Sequence, residues 1–397
     1  MMSVGDGQSH ILGRIAGPTA AEILPVTQAR GRVLARDVQA PFDVPPADNS
    51  AVDGYAVGSG DIPATGTRDL EVVADLAAGA VFEGTLRPGQ ALRIMTGAPI
   101  PRGADTVYPQ EIVERVDRAA RVGPITKGAN VRMRGEDVEA GAIVIEAGTV
   151  LRPQEIGLVT SLGIWQLPLH RRPTVAVLST GDEVVEPGAP RRPGQIYDAN
   201  RFALRGSIEQ CGGEVLDLGI VPDVRDTLRA RLLEASTAAD LVITSGGVSV
   251  GVYDYVKDVL DEIGAIDFWQ VAMQPGRPLA FGRIGAAAFF GLPGNPVASM
   301  LSFLLFVRPA LFKLAGRRAL FPESFAARAL EPMNKKKGRR EFKRGILRYG
   351  PAGWEVRTTG PQGSGILSSM VAGNCLVVLE EARGDVAAGE SVTVEPF

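Results

Sequence analysis

The sequence predicts a multidomain protein that combines a central α/β domain with smaller β domains. Between residues 173 and 317, buried-type apolar runs alternate with helical segments of about a dozen residues, a pattern typical of a doubly wound, mostly parallel sheet. Short apolar runs separated by Gly and Pro turns precede this region at 58–150 and follow it at 320–397. Their regular spacing predicts a small β-rich domain before the α/β domain and a β-barrel after it.

The N-terminal residues predict a linker domain of mixed helical and extended segments. Residues 18–40 are typical of a helix, a turn and a short amphipathic segment, and residues 41–57 form a proline-rich loop that enters the next domain. Residues 151–170 are predicted to be helical and then extended, and to return to the first domain. The linker domain is therefore expected to consist of two separate segments.

Composition and charge argue against several classes of protein. The formal net charge is −3, which disfavours nucleic acid or an anionic membrane as the main partner. The longest strongly apolar run, 297–307, is shorter than the roughly 20 residues that a membrane span needs. The N-terminus lacks a basic start followed by an apolar stretch, so no signal peptide is expected and a cytoplasmic location is predicted.

Histidine and cysteine are too scarce for several catalytic designs. His10 and His170 are the two histidines, so a Ser-His-Asp triad or a multi-histidine metal site is not expected. Cys211 and Cys375 show no Cys-x-x-Cys spacing, which argues against a disulfide scaffold or a cysteine zinc site. Catalysis must then rest on carboxylates, hydroxyls, basic groups and backbone amides, with or without a hard metal ion.

Five loops that follow apolar runs in the α/β domain carry the candidate chemistry. Because such sheets bind ligands at the carboxyl ends of their strands, most of these loops should line one crevice. The charged residues expected there are Asp182, Glu183, Asp223, Asp254 and Arg277. Glycine-rich turns at 246–249 and 294–295 suit a phosphate group, because backbone amides can approach it closely. Carboxylates beside a phosphate predict Mg²⁺ or a similar ion as the cofactor.

Each loop also has a purely structural interpretation. Gly246 and Gly247 could form a tight turn alone, and Asp254 could be a helix N-cap, a position that aspartate favours. The stretch GLPGNP could be a helix entry, since proline is favourable at the first helical position. One such loop is weak evidence for a ligand site, but five such loops at one sheet edge favour a ligand site over purely structural roles.

Nine motifs occur in order along the chain. They are DNSAVDGYA, RIMTGAP, RGEDV, LSTGDE, QIYDAN, TSGGVSVGVYD, QPGRPLAFG, GLPGNP and PQGSG. In this combination the sequence resembles the molybdopterin molybdenumtransferase family, of the MoeA and gephyrin E-domain type. The resemblance runs from about residue 18 to the C-terminus and so covers almost the whole chain.

The resemblance implies an elongated homodimer of four-domain subunits. The expected domains are 1–46 with 146–172 for linking and dimerisation, 47–145 for the small β-rich domain, 173–317 for the molybdopterin-binding-like α/β domain, and 318–397 for the C-terminal β-barrel. It also implies a composite active site between the α/β domain of one subunit and the small β-rich domain of the other. That arrangement would explain why acidic loops occur in two separate domains.

The implied reaction inserts molybdenum from molybdate into adenylylated molybdopterin. The adenylate is cleaved in a Mg²⁺-dependent step, and AMP and molybdenum cofactor are released. The implied catalytic carboxylates are Glu183, Asp254, Asp53, Asp137 and Asp223. Glu183 and Asp254 would hold the metal ion. Asp53 and Asp137 would be contributed across the dimer.

Further positions match the family as substrate contacts. They are Thr96, Thr180, Gly181, Asp182, Ser245, Gly246, Gly247, Ser249, Pro275, Gly276, Arg277, Pro278, Pro293, Gly294, Asn295, Arg339 and Ser364. Arg339 and Ser364 fall where the family has molybdate-contacting groups. Gln274 and Arg277 stand where family members often have lysine, and Ala298 stands where they often have serine. Arg277 keeps an oxyanion role, because arginine can bind an oxyanion bidentately.

Three alternatives stay open at this point. A molybdopterin adenylyltransferase shares the α/β domain and its Ser-Gly-Gly loop but lacks the other domains, and such an enzyme is also a candidate partner. A scaffold without catalysis would be expected to have lost some of these acidic residues, whereas all of them are present in this sequence. Tungstate could replace molybdate, since the two oxyanions have nearly the same size and charge.

Overall fold

The computed structural model of the chain describes residues 1–77, 79–246 and 255–397. Contacts between residues divide the chain into two compact units. The first unit contains residues 1–36, 147–156 and 166–397, and the second contains residues 37–146 and 157–165. The four domains implied by the resemblance are a finer division than this one, and their boundaries stay a prediction.

The first unit begins with a helix, Val4–Arg14, that the sequence analysis does not predict. The Ser3 hydroxyl caps this helix by accepting a hydrogen bond from a first-turn amide at 3.1 Å, a favourable N-terminal arrangement. Residues Ala21–Pro25 instead form a strand, which pairs antiparallel with Gln166–His170. The prediction of a helix at the start of 18–40 is therefore wrong. The 3₁₀ turn Val26–Gln28 also belongs to this unit, whereas the helix Pro153–Ser161 begins in the first unit and ends in the second.

The central sheet of the first unit has six strands. In spatial order they are Glu214–Val221, Thr174–Thr180, Leu241–Ser245, Ala287–Leu292, Pro278–Ile284 and Ala265–Gln270. The first four run parallel, whereas Pro278–Ile284 is antiparallel to both neighbours. Residues 285–286 alone join it to the next strand, and so short a connection requires an antiparallel pair. The helices between successive strands are Asn200–Gln210, Arg225–Ala238 and Tyr255–Ile263.

Both faces of this sheet are buried, as the prediction of a doubly wound domain requires. Val175 and Val177 belong to one core cluster, together with residues of the long helix near residue 300. Ala176 and Leu178, the alternating residues of the same strand, belong to a second cluster with Leu228. A strand buried on both faces needs a continuous apolar sequence instead of an alternating one. The run TVAVL has that pattern.

One helical segment of 19 residues, Pro296–Leu314, packs in the core of the first unit. It consists of the α-helices Pro296–Ser302 and Arg308–Leu314, joined by a π-helical turn at Phe303–Val307. Pro309 has no backbone N–H to donate to the preceding turn, and irregular helical turns are common at proline. The segment is long and apolar enough to cross a membrane, but 72% of its most apolar window is buried inside the protein, as in a core helix.

The C-terminal region forms a closed barrel of five strands, which confirms the prediction. The strands are Phe325–Ala329, Arg340–Gly350, Gly353–Thr358, Cys375–Leu379 and Ser391–Pro396, with a short helix at Ser368–Ala372. The barrel closes because Arg340–Gly350 pairs with both Gly353–Thr358 and Cys375–Leu379. The two-residue strand Met273–Gln274 pairs parallel with the start of Arg340–Gly350. This ladder ties the barrel to a loop of the α/β region.

The second unit is a small β-rich domain, also as predicted. Its main sheet contains, in spatial order, Thr106–Pro109, Gly54–Val57, Gln90–Ile94, Arg68–Leu76, Ala119–Val122 and Glu114–Val116. Short strands form two further ladders, Val38–Gln39 with Ile143–Ile145 and Asn49–Ser50 with Val131–Arg132. The 3₁₀ turns are Ser59–Asp61 and Gln110–Ile112. Tyr55, Leu70 and Tyr108 are buried in the core of this unit.

Candidate active site

A pocket of about 250 Å³ opens at the carboxyl ends of the central strands. Its lining includes five residues that the sequence predicts as ligand contacts, namely Thr180, Glu183, Ser245, Gly246 and Gly294. It also includes Ser179, Asp198 and Asn200, which the sequence analysis does not select. Parallel strands end at the same sheet edge, which explains why loops so far apart in the chain meet here.

The STGDE loop takes its shape from Gly181. This residue has a φ of +125°, a conformation that residues with a side chain rarely adopt. A Cβ at this position would lie 2.7 Å from a carboxylate oxygen of Glu183. Glycine therefore allows Glu183 to fold back over the loop. The Val184 amide closes the turn by donating to the Gly181 carbonyl at 3.0 Å, and the ladder of Val184–Val185 with Ile196–Tyr197 joins the loop to the next one.

Three carboxylates crowd this loop. Asp182 and Glu183 act electrostatically on Asp223, which follows the strand Glu214–Val221 at the same sheet edge. Burial raises the pKa of Asp223, and the charges of Asp182 and Glu183 raise it further. A backbone hydrogen bond from Gly181 lowers it by a smaller amount. A carboxyl group whose pKa is raised by burial and like charges is characteristic of catalytic and metal sites.

Gly246 brings two strand ends within contact distance. Its φ is +94°, and a Cβ here would lie 3.1 Å from the carbonyl oxygen of Thr180. Its amide donates to the carbonyl of Leu292 at 3.1 Å, so this amide holds two loops together and is not presented to a ligand. Three predicted site residues lie outside the part of the chain that the structure describes: Gly247, Ser249 and Asp254.

Asn200 joins three of the strand-end loops. Its side-chain amide donates to the Ser245 hydroxyl at 2.8 Å and to the Gly294 carbonyl at 2.7 Å. Because the Ser245 oxygen accepts this bond, its own proton can be donated to a ligand oxygen in the pocket. Sequence reasoning missed Asn200, although the motif QIYDAN that contains it was the available signal.

A buried ion network fixes the wall of the pocket. Asp198 is 3% exposed and accepts hydrogen bonds from the Ser179 hydroxyl at 3.0 Å and from Arg201 Nε at 2.9 Å. Arg201 also donates to Asp217 and to Glu186, at 2.6 Å in each case. Burial lowers the pKa of Arg201, but Asp217 and Asp198 outweigh it and hold this pKa above its ordinary value. The network positions Asp198 beside the pocket.

The QPGRP loop lies at the same sheet edge and contains four predicted substrate contacts, Pro275, Gly276, Arg277 and Pro278. The peptide bond before Pro275 is cis. Gly276 is buried with a φ of +93°, and a Cβ there would lie 3.1 Å from Ser302 Oγ on the long helix. Arg277 is exposed and donates one hydrogen bond to Gln270 Oε1 at 2.7 Å. Its other N–H groups are suited to an oxyanion.

Two predicted molybdate contacts of the barrel lie beside these loops. The carbonyl of Ser364 accepts a hydrogen bond from the Val297 amide at 3.1 Å, which places the PQGSG loop at the start of the long helix, next to Asn295. Arg339 immediately precedes the barrel strand that pairs with Met273–Gln274. The structure therefore brings Ser364 to the GLPGNP loop and Arg339 to the start of the QPGRP loop.

In the second unit, two predicted site residues contact each other directly. Asp53 accepts hydrogen bonds from the amide and from the hydroxyl of Thr96, both at 2.7 Å. These bonds hold the pKa of Asp53 below its ordinary value, so the carboxylate stays charged. Asp137 lies in the RGEDV turn, where the Arg134 amide donates to Asp48 at 2.8 Å. The motifs DNSAVDGYA and RGEDV are thus neighbours within this unit.

Oxygen donors are available for a hard cation near Glu183. Within residues 1–77, 79–246 and 255–397 there is no group of three or more His, Cys, Asp or Glu side chains placed to hold a metal ion. Mg²⁺ is, however, commonly held by one or two carboxylates together with substrate phosphates and water. Burial raises the pKa of Asp223 most, the charges of Asp182 and Glu183 raise it further, and a cation at this place would offset the repulsion between these carboxylates. This donor set fits Mg²⁺.

Sequence profiles of three protein families match the chain. Residues 2–163 match the MoeA N-terminal region (domain I and II), residues 176–313 match a probable molybdopterin binding domain, and residues 326–397 match the MoeA C-terminal region (domain IV). The three matches follow one another along nearly the whole chain, in the order that the nine motifs indicate.

Similar proteins align over the full length of the chain. The molybdopterin molybdenumtransferase of Haemophilus influenzae is 43% identical, over 100% of this chain and 99% of that protein. Molybdopterin molybdenumtransferase 2 of Mycobacterium tuberculosis is 38% identical over 94% of each chain. The crystal structure of the molybdopterin biosynthesis MoeA protein from Pyrococcus horikoshii superposes with a TM-score of 0.89 at 30% identity and covers 100% of both chains. The chain therefore belongs to the MoeA family of molybdopterin molybdenumtransferases.

Proposed function

We propose that this chain inserts molybdenum from molybdate into adenylylated molybdopterin and releases AMP. The observation that carries the proposal is the acidic, glycine-shaped pocket at the strand ends, in a chain whose full-length relatives are named molybdopterin molybdenumtransferases. Hydroxyls and close backbone approach suit the phosphates of such a substrate. The adjacent carboxylates suit a cation-assisted cleavage.

The cleavage of the adenylate needs mainly positioning and charge stabilisation. Water adds to phosphorus, the bridging phosphorus–oxygen bond breaks, and AMP leaves while the pterin keeps its own phosphate. The Ser245 hydroxyl, aligned by Asn200, donates to a phosphate oxygen. Asp223, with its raised pKa, accepts the proton of the attacking water. Phosphoryl transfer requires little covalent chemistry from the protein. Fixed hydrogen-bond donors supply most of the stabilisation of the transition state.

Mg²⁺ is part of the proposal, with Glu183 and Asp254 as its protein ligands. When bound, the ion would neutralise phosphate charge and polarise the phosphoryl group. The position of Glu183 in the pocket lining and the raised pKa of Asp223 support a cation at this point. Asp254 is assigned from the motif TSGGVSVGVYD alone.

Molybdate would bind where the QPGRP loop, the GLPGNP loop and the barrel meet. Arg277 presents free guanidinium N–H groups, and Arg339 adds a second positive charge from the strand that pairs with Met273–Gln274. Ser364 is held at the start of the long helix by its bond to Val297. A tetrahedral dianion can be held by such a set of guanidinium, hydroxyl and amide donors without any histidine.

The complete site is proposed to form across a homodimer. Asp53, Thr96 and Asp137 would then approach the pocket from the second copy of the chain, with Asp53 kept ionised by its two bonds from Thr96. The adenylylated substrate would be delivered by a molybdopterin adenylyltransferase. The proposed compartment is the cytoplasm, where the free, buried thiols of Cys211 and Cys375 would stay reduced.

AMP release tests the proposal directly. Purified chain is incubated with adenylylated molybdopterin, and AMP is measured with and without molybdate and Mg²⁺. We expect AMP release that requires both additions and that yields a cofactor able to activate an apo-molybdoenzyme. Binding of the substrate without any AMP release under these conditions would contradict the proposal and would favour a scaffold role.

Two further measurements distinguish the proposed reaction from an adenylyltransferase and molybdate from tungstate. ATP consumption with molybdopterin as substrate, in the absence of molybdate, would identify an adenylyltransferase instead. Titration with molybdate and with tungstate, each alone, compares the two oxyanions, and the proposal requires molybdate to support release at the lower concentration. Replacement of Mg²⁺ by EDTA should abolish release if a divalent cation takes part.

A further inference from the structure

A second cavity lies at the edge of the central sheet opposite to the pocket. Pro173, which lines it, immediately precedes the strand Thr174–Thr180, and the far end of that strand lines the pocket. The strand has 7 residues, so roughly 20 Å separates the two places. The cavity is therefore distinct from the proposed active site.

The lining of this cavity is strongly basic. It includes Arg32, Arg171, Arg172 and Arg317, together with His170, and none of its lining residues is acidic. Three segments of the first unit meet here: the turn near residue 32, the residues just before the first central strand, and the residues that follow the long helix. The end of the helix Asn200–Gln210 forms the remaining wall, at Gly212.

Two guanidinium groups converge on Gly212. A Cβ at Gly212 would lie 3.8 Å from Arg317 Nη2 and 3.9 Å from Arg172 Nη1. Arg317 donates to the Cys211 carbonyl at 2.9 Å and stacks on the ring of Phe312, with its guanidinium carbon 3.8 Å from the ring centroid. Arg317 Nε is nevertheless buried without a hydrogen-bond partner. The stacking fixes the guanidinium while leaving a donor unused.

Arg32 adds a second unused donor. Its side chain is 9% exposed, it forms an ion pair with Glu22, and it donates to the His170 carbonyl at 2.8 Å. Its Nε is buried and has no partner. A buried N–H group without a partner costs free energy, and native proteins generally satisfy such groups with protein, water or a bound ion.

The positive charge of the cavity is only partly compensated. Arg171 is paired bidentately with Asp240, at 2.8 and 3.0 Å, and Arg32 is paired with Glu22. Arg172 and Arg317 form no ion pair with any carboxylate of the described residues within 4.0 Å. Burial raises the pKa of the neighbouring Cys211 thiol, so this group is neutral and does not provide the missing negative charge. Arg172 and Arg317 are partly buried, and a cation partly removed from water without a counter-charge favours the binding of an anion.

We propose that this cavity binds a small inorganic anion, held by Arg172, Arg317 and Arg32. The cavity measures about 10 Å³, close to the least space that one water molecule needs, so it admits one oxygen of a phosphate, whereas the larger chloride ion requires the arginine side chains to move apart. The anion supplies the missing charge and accepts the two unused N–H groups. It thereby links the N-terminal segment, the α/β domain and the segment after the long helix.

Thermal unfolding in defined anions tests this site. The full chain is unfolded in chloride, in phosphate and in gluconate at constant ionic strength. We expect the melting temperature to rise with chloride or phosphate concentration relative to gluconate, and the arm that responds identifies the anion. In Arg172→Met the concentration needed for half of this rise should increase about tenfold or more, as expected for loss of one charge-assisted contact.

A matched variant and a structural readout complete the test. Arg283→Met removes an exposed arginine at the same sheet edge that donates to the Ala286 carbonyl, and it should respond like the unmodified chain. Arg172 makes one long bond of 3.4 Å to the Gly212 carbonyl, so Arg172→Met should still fold. Bromide-soaked crystals should show an anomalous peak between Arg172 and Arg317. An equal anion response in Arg172→Met and the unmodified chain would overturn the proposal, and so would the absence of a peak at this place if chloride is the anion that responds.

Discussion

Asp223 carries the clearest electrostatic signal in the pocket. Burial raises its pKa, and the charges of Asp182 and Glu183 raise it further. The sequence predicts Asp223 as a site residue from its place after a strand. It could not predict the pKa, because that value depends on a loop elsewhere in the chain that reaches the same sheet edge. A raised pKa indicates a group arranged for function at some cost in stability.

Replacing Asp223 by asparagine should stabilise the fold at neutral pH. A carboxyl group whose pKa is higher in the folded than in the unfolded state lowers stability once both states are ionised, and this penalty disappears as pH falls towards the ordinary value of 3.8. We expect Asp223→Asn to raise the free energy of unfolding at pH 7 by about 0.5 kcal/mol, a figure discounted for solvent screening.

Denaturant unfolding of Asp223→Asn from pH 7 to pH 4 measures this effect. The gain should shrink on acidification, while AMP release at pH 7 should fall. Asp261→Asn, an exposed position on the helix Tyr255–Ile263, serves as the control and should leave both quantities unchanged. A variant that is less stable than the unmodified chain at pH 7 would contradict the electrostatic assignment.

At the scale of elements, the pocket is a set of loops clamped to one another. Asn200, the first residue of its helix, donates hydrogen bonds to Ser245 and Gly294. Asp198 accepts hydrogen bonds from Arg201 and Ser179. These contacts join segments up to 94 residues apart in the chain. Sequence spacing alone could not reveal them, because only the folded sheet brings the strand ends together.

Removal of the Asn200 side chain should affect turnover more than stability. Asn200→Ala loses two hydrogen bonds, so we expect the free energy of unfolding to fall by about 1 kcal/mol. The Ser245 hydroxyl then loses its alignment, and kcat for AMP release should fall about tenfold.

Asn374→Ala is the matched control for this variant. It also removes two hydrogen bonds, those to the amide and carbonyl of Leu347 in the barrel, and should reduce stability without changing kcat. Equal kcat values in Asn200→Ala and Asn374→Ala would show that Asn200 has no positioning role in the pocket.

The N-terminal elements show where local sequence signals mislead. Residues Ala21–Pro25 have good helix formers, yet they form a strand because pairing with Gln166–His170 overrides local propensity. The helix Val4–Arg14 contains three glycines and was not predicted. The Ser3 cap and the burial of its apolar residues stabilise it instead. The α/β strands were predictable because burial on both faces leaves a continuous apolar run.

For the whole molecule, the order of domains was predictable from the order of motifs. The β-rich unit, the α/β sheet and the closed barrel all occur, in the order that the sequence analysis predicts. The pairing of Met273–Gln274 with the barrel was not predictable, because a two-residue strand has no periodicity to recognise. The assembly of two copies of the chain into a homodimer is implied by the resemblance alone.

Mixed dimers test the composite site. Glu183→Gln and Asp53→Asn each inactivate one side of the proposed site. In a homodimer with shared sites, an equal mixture of the two refolded variants should recover roughly a quarter of the activity of the unmodified chain, because half of the dimers then carry one intact site. No recovery from a mixture shown to exchange subunits would place Asp53 and Glu183 in one site within a single subunit, and would contradict the composite site.

The most direct test of the account compares AMP release by Glu183→Gln with that by Glu209→Gln. Glu183 lines the pocket, whereas Glu209 is an exposed helix residue that pairs with Arg205. We expect molybdate- and Mg²⁺-dependent AMP release to fall about 100-fold or more in Glu183→Gln. Glu209→Gln should match the unmodified chain. An unchanged rate of AMP release in Glu183→Gln would contradict the claim that this pocket cleaves the adenylate.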